Sequence, residues 1–250
     1  MIGTVYLEME HYPKALERFQ NARSEADGTD AKAYQALHCA DTLWRLGRYR
    51  EFDEMLQSVP NTETFEYRLT EVQVASLLSR MKYREVDALA EKIRGNNPTM
   101  EADRKQELEL DEALAESHLQ MKQASLKHLE DVSGQSKVTE NDWSTQLSIA
   151  EVYLSLGMAQ QALDGATKAA DHYAATNQLD SELRSLCIGA SASKALKNTA
   201  AYEQFSKKTV DILSQLQQAW EPQTLRSYLS RTDIQTLMRG TSVSAPFVRR

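Results

Sequence analysis

Leu7-Glu-Met-Glu-His-Tyr12-Pro-Lys-Ala15 is the stretch whose reading decides the fold, because it returns three times. It recurs as Trp44-Arg-Leu-Gly-Arg-Tyr49-Arg-Glu-Phe52 and as Leu78-Ser-Arg-Met-Lys-Tyr83-Arg-Glu-Val86. It returns, with the aromatic lost, as Leu154-Ser-Leu-Gly-Met-Ala159-Gln-Gln-Ala162. Each copy has a large apolar residue, an aromatic five positions on, and three later a residue that must sit in a tight place. Tyr12 to Tyr49 is 37 residues, Tyr49 to Tyr83 is 34, and Tyr83 to Ala159 is 76, or two periods of 38. A fixed period of this size marks a stacked-repeat architecture.

Around these stretches, apolar residues recur at helical spacing, as in Leu69, Val72 and Leu77 or Leu183, Leu186 and Ala190. The nine Gly and five Pro fall mostly between helical runs, with Pro60 and Pro98 closing two hairpins. Val, Ile and Thr never alternate over a length that would make a strand. Ala15, Ala40, Ala150 and Ala162 allow two backbones to approach closely, and the turn aromatics fill the gap to the next hairpin. No hairpin of this kind buries its apolar face alone, so stability comes from neighbours.

The repeat resembles the tetratricopeptide repeat. Gly3, Tyr6, Tyr12, Ala15, Phe19 and Ala22 carry the resemblance in the first copy, and Ala150, Tyr153, Leu154, Gly157, Ala162 and Ala169 in the fifth. The second copy keeps Ala40, Leu43, Gly47 and Tyr49 but has Phe52 where a small residue is usual; the third keeps Leu77 and Tyr83 but has Val74 and Val86. A fourth copy fills Leu114–Leu129, turning at Leu119–Ala124. A sixth runs from Ser181 to Gln217, turning near Lys197-Asn198-Thr199. The resemblance implies an all-α, right-handed superhelical solenoid of six hairpins over residues 1–217, a capping helix segment over 218–239, and a tail over 240–250. The first copy lacks its leading residues, so the chain is expected to be a fragment of a longer protein. Its first hairpin would then expose a face suited to homo-oligomerisation.

Composition narrows the function classes. A hydrophobic content of 41% and a charged content of 26% describe an ordinary globular protein. No apolar run reaches membrane-spanning length, so no membrane partner is expected. Cys39 and Cys187 lie on separate helices and read as small core residues in a reducing, cytoplasmic compartment. The net charge of −7 is uneven: an acidic stretch over 101–151 and an Arg-rich segment from Pro222 onward. The acidic body would repel phosphate, which argues against nucleic acid.

No catalytic motif emerges. There is no phosphate loop, no nucleophile elbow and no His-Glu-x-x-His run. His118 and His128, near Glu116 and Glu130, read as surface histidines rather than metal ligands. Asp111 and Glu112 are adjacent, diverge by about 100° on a helix, and so cannot converge on a substrate unaided. The reading is a non-catalytic scaffold without cofactors, binding a peptide or protein segment in its concave face. The resemblance implies a groove lined by Tyr34, Leu37, Asp41, Trp44 and Arg45 in the second repeat. Arg68, Glu71, Ala75 and Leu78 would line it in the third, and Leu147, Glu151 and Leu154 in the fifth. Trp44 beside Arg45 and Tyr34 is the residue mix of interface hot spots, and packing between hairpins as core is the other reading of Trp44. The central groove positions hold no Asn, against the paired Lys and Asn of chaperone-tail clamps. Trp220 to Leu237 resembles the end of repeat regions in multidomain bacterial signalling proteins, with Thr232 in place of their proline. Read from the residues, Pro222 starts a helix, and Tyr228, Leu229, Ile234 and Leu237 give it an apolar face that would cap the open end of the solenoid.

Overall fold

The computed structural model describes residues 2–96, 100–134 and 142–243. Pro98, Phe247 and Val248 lie outside the described residues. Among those described there are fourteen α-helices and no strand. Twelve pair into six hairpins: α1 (Ile2–Glu8) with α2 (Tyr12–Glu25), α3 (Thr29–Arg45) with α4 (Tyr49–Leu56), α5 (Glu63–Ser79) with α6 (Tyr83–Asn96), α7 (Ala102–His118) with α8 (Lys122–Gly134), α9 (Trp143–Ser155) with α10 (Ala159–Thr176), and α11 (Leu179–Ala195) with α12 (Thr199–Ala219). The last two are α13 (Pro222–Leu229) and α14 (Thr232–Met238). No helix of the described residues is long and apolar enough to cross a membrane.

One turn is used six times. Glu10, Gly47, Met81, Gln120, Gly157 and Lys197 all have positive φ, and each sits two residues before a trailing helix. In every case its N–H donates to the carbonyl three residues back, and the next N–H to the carbonyl five back of itself, as in Gly47 to Trp44 and Arg48 to Leu43. This is the hydrogen-bond pattern of the Schellman motif, which satisfies the last carbonyls of the leading helix. Only two of the six positions are glycine, so the other copies carry their turn without its usual residue.

Each hairpin packs on its chain neighbour, and the leading helices α3, α5, α7, α9 and α11 also touch in succession. Small residues sit at the contacts. A Cβ on Gly3 would strike the Phe19 ring, and one on Gly189 the Phe205 ring. These glycines are where the trailing helix presses its aromatic against the leading one.

The two ends of the chain meet. Tyr12 and Leu16 of α2 share one buried cluster with Leu183, Leu213 and Leu216 of the sixth hairpin and with Leu225, Tyr228 and Ile234 of α13 and α14. The Glu10 carboxylate accepts from the backbone N–H groups of Asp180 (2.6 Å) and Ser181 (3.1 Å). It therefore caps the N-terminus of α11 from the other end of the chain, where the helix's orphan donors and dipole favour a negative group.

The segment over 218–239 differs from expectation in two ways. It contains the end of α12 and two further helices, because the chain leaves helical conformation at Arg231 (φ −58°, ψ 134°). That break lets the Arg231 side chain turn inward. Nor does the segment simply cover an open end: α13 packs on α12, while α14 packs on both α11 and α5. It joins the sixth hairpin to the second and third.

Candidate functional site

The leading helices of the second to sixth hairpins surround a cavity of about 370 Å³, closed on one side by α14. Six carboxylates line it (Glu71, Glu107, Asp111, Glu151, Asp180, Asp233) against three guanidinium groups (Arg45, Arg184, Arg231). The two walls differ in how these charges are satisfied.

On the α11–α14 wall every charge has a partner. Arg184 bonds Glu151 at 2.8 Å and Asp233 at 2.7 Å. Arg231, 1% exposed, holds Asp233 at 2.6 Å and donates to the Arg45 carbonyl at 2.8 Å. Burial works to raise the Asp233 carboxyl, and the two guanidinium groups overcome it and hold the carboxyl below its ordinary range. Asp180 accepts from Tyr12 (2.9 Å) and Tyr228 (2.5 Å) on its two oxygens. Burial, followed by the Asp180 charge, pushes both phenols well above their usual range, so they remain donors.

The α5–α7 wall is acidic. Glu71 pairs with Arg68, and Glu107 accepts from Tyr67 at 3.1 Å. Asp111 has no hydrogen-bond partner among the described residues. Burial, then the charges of Glu107, Glu71 and Glu112, raises its carboxyl to about 8. Glu112, the next residue, points away from the cavity to Arg94 of α6. The pair thus diverges as helix geometry requires.

Most of the groove residues read from the sequence are brought together. Asp41, 5% exposed, binds Arg45 at 3.3 Å and Arg68 at 3.2 Å and accepts from the Trp44 indole at 3.0 Å. Trp44, Arg45, Glu71, Ala75, Leu78, Leu147 and Glu151 line the cavity. Trp44 lies between the Arg45 and Arg231 guanidinium groups, 4.6 Å and 5.2 Å from its ring centroid. The chain's own C-terminal segment therefore occupies the space beside it. Leu154 lies apart, in a smaller depression with Tyr83 and His118. Leu37 is not a groove residue. It faces the α4–α5 junction, 2% exposed, packed with Val59 and Phe65. Tyr34 is exposed and stacks edge-on against His38, outside the cavity.

The sequence reading missed Asp180, Arg184, Arg231 and Asp233. Arg231 and Asp233 stand in the Tyr228-Leu-Ser-Arg-Thr-Asp233 stretch already singled out, so a signal for these two was present. Asp180 and Arg184 carry no local signal, because their partners lie 33 to 168 residues away. Cys39 and Cys187 are both free and buried. No protein-family model, no curated protein and no solved structure matches this chain.

Proposed function

We infer that this chain is a tetratricopeptide-like superhelix, and that its central cavity binds the end of a peptide or protein segment through a basic side chain. The repeated turn, spaced 34 to 40 residues apart, and the contacts between successive leading helices support the architecture. Asp111 carries the ligand reading. It is a partly buried carboxyl that lines a half-open cavity beside Glu71 and Glu107, with no side-chain partner among the described residues. A Lys or Arg brought there would favour its ionised form and add a charge-assisted hydrogen bond. The cavity has room for a few side chains rather than a whole helix, so the ligand enters by its end. The paired ions of the opposite wall hold the shape and are not free to bind. None of the groups named forms a nucleophile–base pair, and the reading stays non-catalytic.

The test is selection from a display library of random linear nonapeptides against the parent chain and its Asp111→Asn variant. The reading expects enriched peptides to carry a Lys or Arg, and to bind the variant about 10- to 100-fold more weakly, the worth of a charged hydrogen bond. Enrichment without basic residues, or equal affinity for both proteins, overturns it.

A second reading is favoured by α1, where Ile2 is 65% exposed and Val5 51%. Those residues would join two copies of the chain. Sedimentation of the parent and a Val5→Glu variant distinguishes this, because only the parent would grow with concentration.

A further inference from the structure

We propose that Glu109, Glu112 and His128 form a binding site for a divalent transition ion such as Zn²⁺, between α6, α7 and α8 and apart from the central cavity. One carboxylate oxygen of each Glu and one His128 ring nitrogen lie within 4.8 Å of one another. Glu109, Glu112 and Glu116 follow one face of α7 at helical spacing, and His128 reaches them from α8. All three Glu are nearly fully buried, at 6%, 1% and 5% exposed.

The unsatisfied groups point to a cation. Oε1 of Glu112 and Oε2 of Glu116 are buried without a hydrogen bond. Arg94 takes only the other oxygen of Glu112. Three carboxylates thus share one guanidinium group and one imidazole.

The donor set suits a borderline ion. Imidazole with carboxylates is a Zn²⁺ combination, and ligands at about 2.0–2.2 Å require the farther donors to move inward and the touching Nδ1–Glu109 pair to part. His128 Nδ1 lies against Glu109 and Nε2 stands 3.5 Å from Glu116. With Nδ1 on the metal, Nε2–H donates to Glu116, which fixes the tautomer in the way that outer carboxylates orient metal-bound histidines. His128 and Arg94 are partly exposed, at 16% and 39% of their side chains, and leave a path from solvent.

The experiment is calorimetric titration of the metal-stripped full chain with Zn²⁺, with thermal unfolding in parallel. One Zn²⁺ per chain and a Tm that rises with Zn²⁺ are expected. His128→Asn should abolish binding, and Glu116→Gln should weaken it about 10- to 100-fold. His118→Asn should leave it unchanged, because His118 stacks on Tyr83 with ring centroids 4.3 Å apart, away from the cluster. Glu112→Gln keeps an acceptor for Arg94 and removes a like charge. It therefore folds, and separates lost binding from lost structure if His128→Asn does not fold. Absence of binding to the parent, or binding that survives either His128→Asn or Glu112→Gln, overturns the site.

Discussion

Tyr12 and Asp180, 168 residues apart in the chain, are joined by a 2.9 Å hydrogen bond, and Tyr228 holds the other oxygen of the same carboxylate. All three are buried. Asp180→Ala leaves two phenols without their acceptor and takes one of two nearby carboxylates from Arg231. We expect a loss of about 3–5 kcal/mol in urea unfolding, the range for breaking a buried charged network. Tyr12→Phe should cost about 1 kcal/mol. Because the two phenols share one acceptor, Tyr12→Phe and Tyr228→Phe should be non-additive by more than about 0.5 kcal/mol. Strict additivity would mean that the two ends are not coupled through Asp180.

Gly47 and Gly157 occupy the same place in the repeated turn, with φ of 71° and 75°. Gly157 faces open space, whereas a Cβ at Gly47 would collide with the Ser227 carbonyl of α13. Gly157→Ala should therefore cost only the left-handed strain, about 1–2 kcal/mol. Gly47→Ala should cost more and disturb the docking of α13, seen as a changed near-ultraviolet signal from Trp220. Equal losses would place α13 away from the turn.

Lys197 and Gln120 occupy that turn position with φ of 58° and 64°, and both are exposed. Lys197→Gly and Gln120→Gly should each stabilise the chain by up to about 1 kcal/mol, because glycine adopts this conformation without a Cβ penalty. Equilibrium unfolding of each variant checks the sign.

Asp111 is raised from 3.8 to about 8, and Glu10 from 4.5 to about 7, in each case first by burial. A carboxyl raised on folding binds more protons in the native state than in the unfolded one. Its contribution is fully present below its unfolded value and is lost as pH rises through its folded value. These two groups therefore make stability decline from about pH 4 to pH 8. Asp111→Asn should flatten that decline, most clearly above pH 7 where Glu10 has already lost its proton. A pH series of urea midpoints measures it, and an unchanged slope would show that Asp111 is solvated.

The hairpins were legible because their signals are local. Tyr12, Tyr49 and Tyr83 mark turns, and the spacing between them gives the period. The fourth and sixth hairpins were hard to see because they lack both markers: Gln120 and Lys197 replace the turn glycine, and Lys122 and Thr199 stand where Tyr12, Tyr49 and Tyr83 mark the other turns. Leu37 was misplaced because an apolar residue one turn from Asp41 looks the same whether it faces inward or toward the next helix. The cavity was half visible. Trp44, Glu71 and Glu151 follow from their places on leading helices, but Arg184 and Asp180 owe their role to partners in distant segments. Neither the buried Glu109–His128 cluster nor the break at Arg231 follows from periodicity, since both depend on which helices finally meet.

The clasp between the first hairpin and α13 sets an order of events during synthesis. Hairpins close over neighbouring residues and form as the chain emerges, but Tyr12 and Leu16, already against α3, gain the rest of their cover only when α11, α12 and α13 exist. A ribosome that stalls before Tyr228 leaves that apolar face waiting, and a chaperone that shields newly made chains would find its binding surface on α2.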